Sequence, residues 1–381
     1  MIKLKKRMVL VFVITLCIST CFGCGNVEKV ETLKPQGGNI ESLAVSYTEY
    51  IAKKFPDRDS TNENSNHNGA KAFIIAELKA DGYKKNQIEC QDFKYDEYSG
   101  SNIVLTVEGQ DSSKQVIVGG HYDGDGIGDN GSAIALMLAT AKNLKDKKPL
   151  YTVKYVFFDC EEIGCLGSIY YARSLSEEEA KNTVYMVNID SILFGDYCNV
   201  YGGDTNHKTG EVTETSAYEL ACKKAAYLGM DVWGTKELDG YFAEHKTGPD
   251  IKENTIYTNP WTKENSAPNS DLLEEDLIAY APSTIPYSDH VGFVERGIPY
   301  IYFEATNWFA AGNEEEIAYT GYVETYDSSI GEGGMFMNTE YDTIENLKKY
   351  FPGRMEAHYS VYGQLLSSLI LNPESELPEA K

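Results

Sequence analysis

Residues 116–162 begin as V-I-V-G-G-H-Y-D-G-D-G-I-G-D-N-G-S-A and end as Y-V-F-F-D-C-E-E. The apolar runs Val116–Val118 and Val153–Phe158 are typical of strands that are buried on both faces. Gly131–Leu144, which lies between them, has the length and periodicity of a helix. In an open α/β sheet, ligands bind beyond the carboxyl ends of the strands. The polar residues that follow the two runs are therefore predicted to share one site.

The rest of the chain continues this alternation of strands and helices. It predicts an α/β fold with a mostly parallel central sheet and helices on both faces. The predicted helices are 39–55, 69–79, 131–144, 163–174, 215–228, 344–350 and 354–371, and the predicted strands are 89–95, 102–107, 115–119, 151–159, 185–189, 198–201 and 298–303.

Changes in composition divide the chain into a leader, a tether, one domain and a tail. Residues 1–23 are predicted to be a signal peptide, and residues 24–38, which are mostly polar and end in Pro and Gly, a tether. Residues 39–372 form the predicted domain, and 373–381 a polar tail. Within the domain, residues 231–283 are rich in Pro, Asn and Glu, and we expect an irregular insertion there.

The N-terminus has the pattern of an export signal. Lys3–Arg7 is basic, and Met8–Ile18 is apolar but short for a membrane span. Gly23 and Cys24 follow, and this pair resembles the lipobox of bacterial lipoproteins. The resemblance implies a lipid on Cys24 and a location on the outer side of the cell membrane. A cleaved signal peptide on a secreted protein is the alternative.

The chain is strongly acidic, with a formal net charge of −24. Loss of the four positive charges of the leader (Lys3, Lys5, Lys6 and Arg7) leaves about −28. Because binding to phosphates needs a basic face, this charge disfavours nucleic acid as a partner. The apolar content of 42% is sufficient for a large core.

Three predicted strands are followed by residues of the types that bind metals. These residues are His121, Asp123, Asp129, Glu161, Glu162 and Asp190. Several carboxylates placed close together repel one another unless a cation neutralises them. Imidazole and carboxylate ligands together suit zinc or another divalent first-row ion.

This set of motifs resembles the M28 family of zinc peptidases, which includes co-catalytic aminopeptidases. The resemblance implies the zinc aminopeptidase (phosphorylase/hydrolase-like) fold, a peptide substrate and one or two zinc ions. The matching segments are His121-Tyr122-Asp123, Asp129–Ser132, Phe158–Gly164, Gly167-Ser168, Asn188–Asp190, Ser288-Asp289-His290, Phe293, Gly297–Pro299, and Thr339 with Asp342-Thr343.

The resemblance also implies a role for each ligand. His121 and Asp190 would hold one metal, Asp129 would bridge two metals, and Glu162 would hold the second. Glu161 would be the general base, which takes a proton from the attacking water and returns it to the leaving amine.

The carboxylate of Asp123 would fix the ring of His121. One position departs from the family pattern, since the last ligand, usually His, is Asn338 here. Three arrangements are open. Asn338 binds through its oxygen, His290 substitutes for the missing ligand, or the site holds one metal through His121, Asp129 and Asp190.

Three functions fit these residues. The first is an exported zinc aminopeptidase, which requires Glu161. The second is a binding protein on the same fold with a degenerate site, which Asn338 would favour. The third is an acyltransferase that resembles glutaminyl cyclases. By resemblance, the metal of a cyclase depends on the counterparts of Asp129, Glu162 and the missing His, so this reading ranks last.

Overall fold

The computed structural model describes residues 31–33, 38–206, 211–213, 216–234, 251–258, 288–307 and 324–373. The predicted signal peptide, Cys24 and most of the tether lie outside the described residues. So do residues 374–381 of the predicted tail and most of the predicted insertion. None of the helices in the described part of the chain has the length and apolarity needed to traverse a bilayer.

The described helices and strands alternate through most of the chain. The helices are α1 (Ile40–Lys54), α2 (His67–Ala80), α3 (Gly131–Leu144), α4 (Leu166–Ser174), α5 (Glu177–Asn182), α6 (Ser216–Tyr227), α7 (Val291–Val294), α8 (Ile344–Tyr350) and α9 (Arg354–Leu371), with a 3-10 turn at Lys85–Gln87. The strands are β1 (Ile88–Tyr95), β2 (Tyr98–Val107), β3 (Asp111–His121), β4 (Tyr151–Phe158), β5 (Thr183–Ile189), β6 (Tyr197–Tyr201), β7 (Asp204–Asn206), β8 (Glu211–Thr213), β9 (Asp231–Trp233), β10 (Thr255–Thr258) and β11 (Tyr300–Thr306).

Nine of the described strands form one sheet in the order β1-β2-β4-β3-β5-β11-β6-β10-β9. The neighbours from β4 through β3 and β5 to β11 are parallel, as are β6, β10 and β9. The pairs β1–β2, β2–β4 and β11–β6 are antiparallel. The predicted mostly parallel sheet is therefore confirmed, and its central strands all end at the same edge.

Both faces of the sheet are covered by helices, as predicted. Val116 and Val118 of β3 pack in the larger core, to which α1, α2, α3, α6 and α9 contribute. Ile117, which points to the opposite face because side chains alternate along a strand, packs in a second core with α4, α5 and α7. This double coverage explains why β3 and β4 are almost continuously apolar.

Helix α3 begins directly behind the ligand loop. Asn130 is its N-cap, and its side-chain oxygen accepts a hydrogen bond from the amide of Ala133 at 3.1 Å. Nearly every residue of α3 is buried, which matches its Ala-rich sequence. The helix runs through the core and fixes the point at which the preceding loop must end.

The predicted irregular insertion at 231–283 requires a correction. Its described parts include Asp231–Trp233 and Thr255–Thr258, which are parallel strands at one edge of the main sheet. These strands are three and four residues long, too short to produce a clear period-2 pattern. The surrounding Pro and Asn residues therefore dominated the sequence signal.

Candidate metal centre

The candidate metal centre lies at the edge where the central parallel strands end. His121 is the last residue of β3, Asp190 follows β5, and the pair Glu161 and Glu162 follows β4. Asp129 ends the loop of residues 122–129, here called the metal loop, which joins β3 to α3. Because β4, β3 and β5 are adjacent and parallel, the structure brings these predicted ligands together.

Three residues form the centre of the cluster. His121 Nε2 lies 3.1 Å from Asp129 Oδ1 and 3.6 Å from Asp190 Oδ1. One ligand atom from each of the three residues lies within 4.8 Å of the other two. All three residues are buried. This spacing allows one ion to contact all three side chains.

The donor set fits a divalent cation. His121 is buried, yet neither of its ring nitrogens has a hydrogen-bond partner among the described residues. A buried imidazole without such partners is costly unless another group engages it. His121 Nε2 instead faces carboxylates, and imidazole with carboxylate oxygens is a zinc-type ligand set.

The electrostatics of the cluster also favour a positive charge. Burial lowers the pKa of His121, but the nearby Glu161 carboxylate, followed by those of Asp123, Asp129 and Asp190, outweighs this effect and raises the pKa well above its ordinary value. Burial and the adjacent Asp190 carboxylate raise the pKa of Asp129. An imidazole that prefers to be protonated, beside a carboxyl that prefers to be neutral, indicates excess negative charge that a cation would balance.

Glu161 lies beside the three ligands. Its Oε2 atom is 3.9 Å from His121 Nε2, and its Oε1 atom accepts a hydrogen bond from Cys165 Sγ at 3.3 Å. Burial, together with the Asp190 and Asp289 carboxylates, raises the pKa of Glu161 well above its usual range. Oε2 is thus the oxygen that faces the centre.

Glu162 occupies the rim of the site and is exposed to solvent. Its Oε1 atom lies over Gly124, where a Cβ atom would be only 2.5 Å away and φ is 92°. Glycine is required there both for the backbone conformation and for the close approach. Removal from water by the walls of the site, and the neighbouring Asp129, raise the pKa of Glu162 to about 8.

Asp123 connects the imidazole to the glutamate pair. Its Oδ1 atom is 3.5 Å from His121 Nδ1 and accepts a hydrogen bond from the amide of Glu161 at 3.1 Å. Its Oδ2 atom accepts from the amide of Glu162 at 3.4 Å and from Ser60 Oγ at 3.4 Å. This is the location expected of a group that orients a ligand ring.

The two candidates for the last ligand differ in their surroundings. Asn338 is exposed, has a φ of 56°, and makes no hydrogen bond with the central cluster in the described part of the chain. His290 is buried, with its ring stacked on Tyr300 at 4.5 Å and its Nδ1 atom 3.3 Å from Asn188 Nδ2. Burial lowers the pKa of His290 to about 3, so its ring is neutral.

Sequence reasoning did not assign a role to several residues that support the site. Ser288 Oγ donates a hydrogen bond to Asp190 Oδ2 at 2.6 Å and accepts one from Asn188 Nδ2 at 2.7 Å. Asp289 is buried, and neither of its oxygens has a hydrogen-bond partner among the described residues. Burial raises the pKa of Asp289 to about 7. The Ser288-Asp289-His290 motif was the available signal, but its sequence does not reveal which ligand it supports.

His67, which lies just before the predicted helix 69–79, also has a role that the sequence did not indicate. It begins α2, and its Nε2 atom lies 2.7 Å from Asp159 Oδ1. Asp159 Oδ2 accepts hydrogen bonds from Tyr122 OH and from the amide of Ser101, both at 2.8 Å. The ring of His67 stacks on Tyr122 at 5.0 Å. This network connects the segment before Glu161 to the residue after His121.

Comparison with known proteins gives a family match in the same region. Residues 102–228 match the sequence profile of Peptidase family M28. Probable leucine aminopeptidase 2 of Aspergillus oryzae is 35% identical over 118 residues, which is 30% of this chain and 24% of that protein. Probable leucine aminopeptidase 2 of Aspergillus fumigatus is 38% identical over 109 residues, which is 27% and 22%, respectively. The chain thus spans about a quarter of the length of these curated relatives.

Solved structures share the fold over a much larger part of the chain. A Zn-dependent exopeptidase from Parabacteroides distasonis has a TM-score of 0.54 at 16% identity, with 89% of this chain and 99% of that chain covered. A glutaminyl cyclase from an Acidobacteriales bacterium has a TM-score of 0.55 at 16% identity, with 90% and 99% covered. At this level of identity the likeness establishes the fold alone, and it confirms the predicted zinc aminopeptidase architecture.

Proposed function

We propose that this chain is a zinc-dependent aminopeptidase. The observation that carries the proposal is the convergence of His121, Asp129 and Asp190, with Glu161 Oε2 directed to the same point. The family match over residues 102–228 supports the same reaction class. The named activity of the fungal relatives, leucine aminopeptidase, supports an N-terminal residue as the group released.

The ligand residues divide into a central and a peripheral set. His121, Asp129 and Asp190 would hold the first zinc ion, and Glu162 would contribute to a second. When bound, zinc polarises the scissile carbonyl and lowers the pKa of the attacking water.

Glu161 is suited to the role of general base. Its Oε1 atom is engaged by Cys165 Sγ, which leaves Oε2 to accept a proton from the attacking water. The same oxygen would then deliver this proton to the amine of the departing peptide. Asp123 Oδ1 orients both groups, because it lies 3.1 Å from the amide nitrogen of Glu161 and 3.5 Å from His121 Nδ1.

The decisive experiment compares Glu161→Gln with wild type. Glutamine has the same shape but cannot accept the proton, so kcat is expected to fall roughly 10²- to 10⁴-fold. Zinc content, measured by elemental analysis, should stay at the wild-type value. Glu178→Gln, an exposed change on α5, is the control and should leave both quantities unaltered. Retained turnover in Glu161→Gln would refute the assignment of the base.

The glutaminyl cyclase alternative, which the sequence ranks last, has one observation in its favour, since a solved cyclase shares the fold over 90% of this chain. The inclusion of His121 in the ligand cluster favours the peptidase, since by resemblance a cyclase depends on Asp129, Glu162 and a distal His. Incubation with a Gln-initiated peptide separates the two reactions. A free N-terminal amino acid is expected as product, and a pyroglutamyl peptide would reverse the ranking. No turnover of any peptide with zinc or cobalt added would indicate the binding-protein alternative.

We further propose that the protein is exported and anchored to the cell membrane by a lipid on Cys24. The proposal is supported by the basic and apolar leader sequence that precedes Cys24. Because a single acyl chain binds a membrane only weakly, stable anchoring implies more than one acyl chain. Labelling of the full chain with a radioactive fatty acid in bacterial cells, with Cys24→Ser as control, tests this. Unlabelled wild-type protein in the culture medium would favour the secreted alternative.

A further inference from the structure

A buried arginine holds the metal loop (residues 122–129) by its carbonyl groups. Arg58 Nε donates to Tyr122 O at 3.0 Å, and Arg58 Nη2 donates to Gly126 O at 2.6 Å. Its Nη1 atom donates to Phe55 O at 2.9 Å, and its own amide donates to Gly124 O at 2.8 Å. The side chain is fully buried, and within the described residues no carboxylate lies at ion-pair distance from it.

A buried aspartate holds the same loop by its amide groups. Asp342 Oδ1 accepts hydrogen bonds from the amides of Ile127 at 3.0 Å and Gly128 at 2.7 Å. Asp342 Oδ2 accepts from the amide of Asp129 at 3.0 Å. Asp342 therefore restrains the three residues that end the loop, including the residue that would bridge the metals.

Gly126 is the point at which the two contacts meet. Its carbonyl accepts from Arg58, while a Cβ atom on Gly126 would lie 2.1 Å from Asp342 Oδ2. The absence of a side chain is thus what lets Asp342 approach the loop closely enough to reach the amide of Asp129. Arg58 and Asp342 are far apart in the sequence. Arg58 binds carbonyl groups of the loop, whereas Asp342 binds its amide groups.

We propose that Arg58 and Asp342 are positioning residues for the metal centre. By fixing the main chain of residues 122–129, they set the angle at which His121 and Asp129 face a common ion. This inference rests on the proposed zinc function of the site. Neither residue contacts the ion; each acts through the backbone of the loop that carries the ligands.

Arginine suits this task because its planar guanidinium donates several hydrogen bonds in a fixed geometry. The three side-chain bonds of Arg58 reach Tyr122, Gly126 and Phe55, so they also attach the segment after α1 to the loop. A carboxylate complements this on the other side, because it can accept from three adjacent amides at once. Without the pair, the loop amides and carbonyls would be buried without partners or would rearrange.

The test measures the affinity of the full chain for Zn²⁺ alone, by competition with a chelating dye. The variants are Arg58→Met and Asp342→Asn. In each, zinc affinity is expected to fall roughly 10- to 100-fold, as for other groups that orient ligands indirectly. The absorption spectrum of the Co²⁺-loaded variants should also change, because it reports ligand geometry independently of activity.

Matched controls distinguish positioning from general stabilisation. Arg296→Met removes an arginine that donates to the carbonyls of Ala172, Arg173 and Leu175 at 3.1–3.4 Å, away from the metal loop. Asp196→Asn changes a buried aspartate that accepts from Arg354 and from the amide of Tyr326. Both controls should lower Tm yet keep zinc affinity within about twofold of wild type, below the effect expected for orienting groups.

Equal zinc affinity in the positioning variants and their controls, with similar losses in Tm, would overturn the proposal. If Arg58→Met does not fold, the comparison of Asp342→Asn with Asp196→Asn decides the question alone. Wild-type protein that binds no zinc would refute the proposed function itself. Tight binding by wild type and by both positioning variants would refute only the positioning role.

Discussion

The two halves of the proposed metal centre are built in different ways. His121, Asp129 and Asp190 form a buried half, with His121 Nε2 at 3.1 and 3.6 Å from the two carboxylates. Glu162 lies at the rim, and Asn338, the proposed counterpart of the last ligand, is exposed in a segment far along the chain. The first half is fixed by adjacent parallel strands and a capped helix, whereas the second depends on loops. Ligands held at the ends of the central strands or directly before helix α3 are therefore set by the fold, whereas ligands on other loops can vary without altering it.

The largest effect is expected from a change in the buried half. Asp190→Asn keeps the shape of the side chain but removes a negative charge 3.6 Å from His121 Nε2. We expect loss of the first zinc ion and a fall of roughly 10³-fold in kcat/KM, equivalent to about 4 kcal/mol. Elemental analysis and kinetics on a leucyl substrate measure both. Asp111→Asn, at the other end of β3, is the control, and full zinc content in Asp190→Asn would contradict the division into halves.

A smaller effect is expected from the rim. Glu162→Gln removes a carboxylate that is exposed and lies over Gly124. If the halves are independent, the first ion stays bound, and kcat/KM falls roughly 10- to 100-fold, within the range of changes that tune a metal site. Zinc content at saturation is the measurement. Complete loss of zinc in Glu162→Gln would mean that the rim ligand is needed for the buried half.

The support of the buried half can be weakened without touching a ligand. Ser288→Ala removes the hydroxyl that donates to Asp190 Oδ2 at 2.6 Å. Zinc affinity should fall roughly tenfold, because the carboxylate loses the group that orients it. Ser113→Ala, an exposed change at the start of β3, should leave affinity unchanged. Competition with a chelator gives the two values, and equal affinities would remove Ser288 from the support of the site.

Much of the buried half could be predicted from the sequence because its signals are local. The apolar run before His121 predicts a buried strand, and the helix over 131–144 has the bounds that the structure gives. Three such strand ends, each followed by His or carboxylates, predict convergence by the geometry of parallel sheets alone. The helices at 344–350 and 354–371 were likewise predicted with their observed bounds.

The supporting contacts could not be predicted because they join residues that are distant in sequence. Arg58 and Asp342 contact metal-loop residues that are 68 and 213 positions away in the sequence. His67 contacts Asp159, which is 92 positions away. An arginine in a polar loop is usually solvent-exposed, and nothing in its neighbours indicates burial. The short strands at 231–233 and 255–258 were missed for a different reason, since three or four residues carry too little periodicity.

The smallest change in activity, and the sharpest test of the comparison, comes from Asn338→His. Imidazole is a better zinc ligand than an amide oxygen, and His tolerates the φ of 56° observed here better than most residues do. If the wild type has the one-metal arrangement, zinc content should rise from about one to about two ions per chain, and kcat/KM should change by less than roughly tenfold. Elemental analysis of wild type, Asn338→His and Asn338→Ala provides the counts. Two ions in wild type, lost in Asn338→Ala, would mean that Asn338 already ligates through oxygen. Two ions in both wild type and Asn338→Ala would assign the last ligand to another residue, with His290 the first to test.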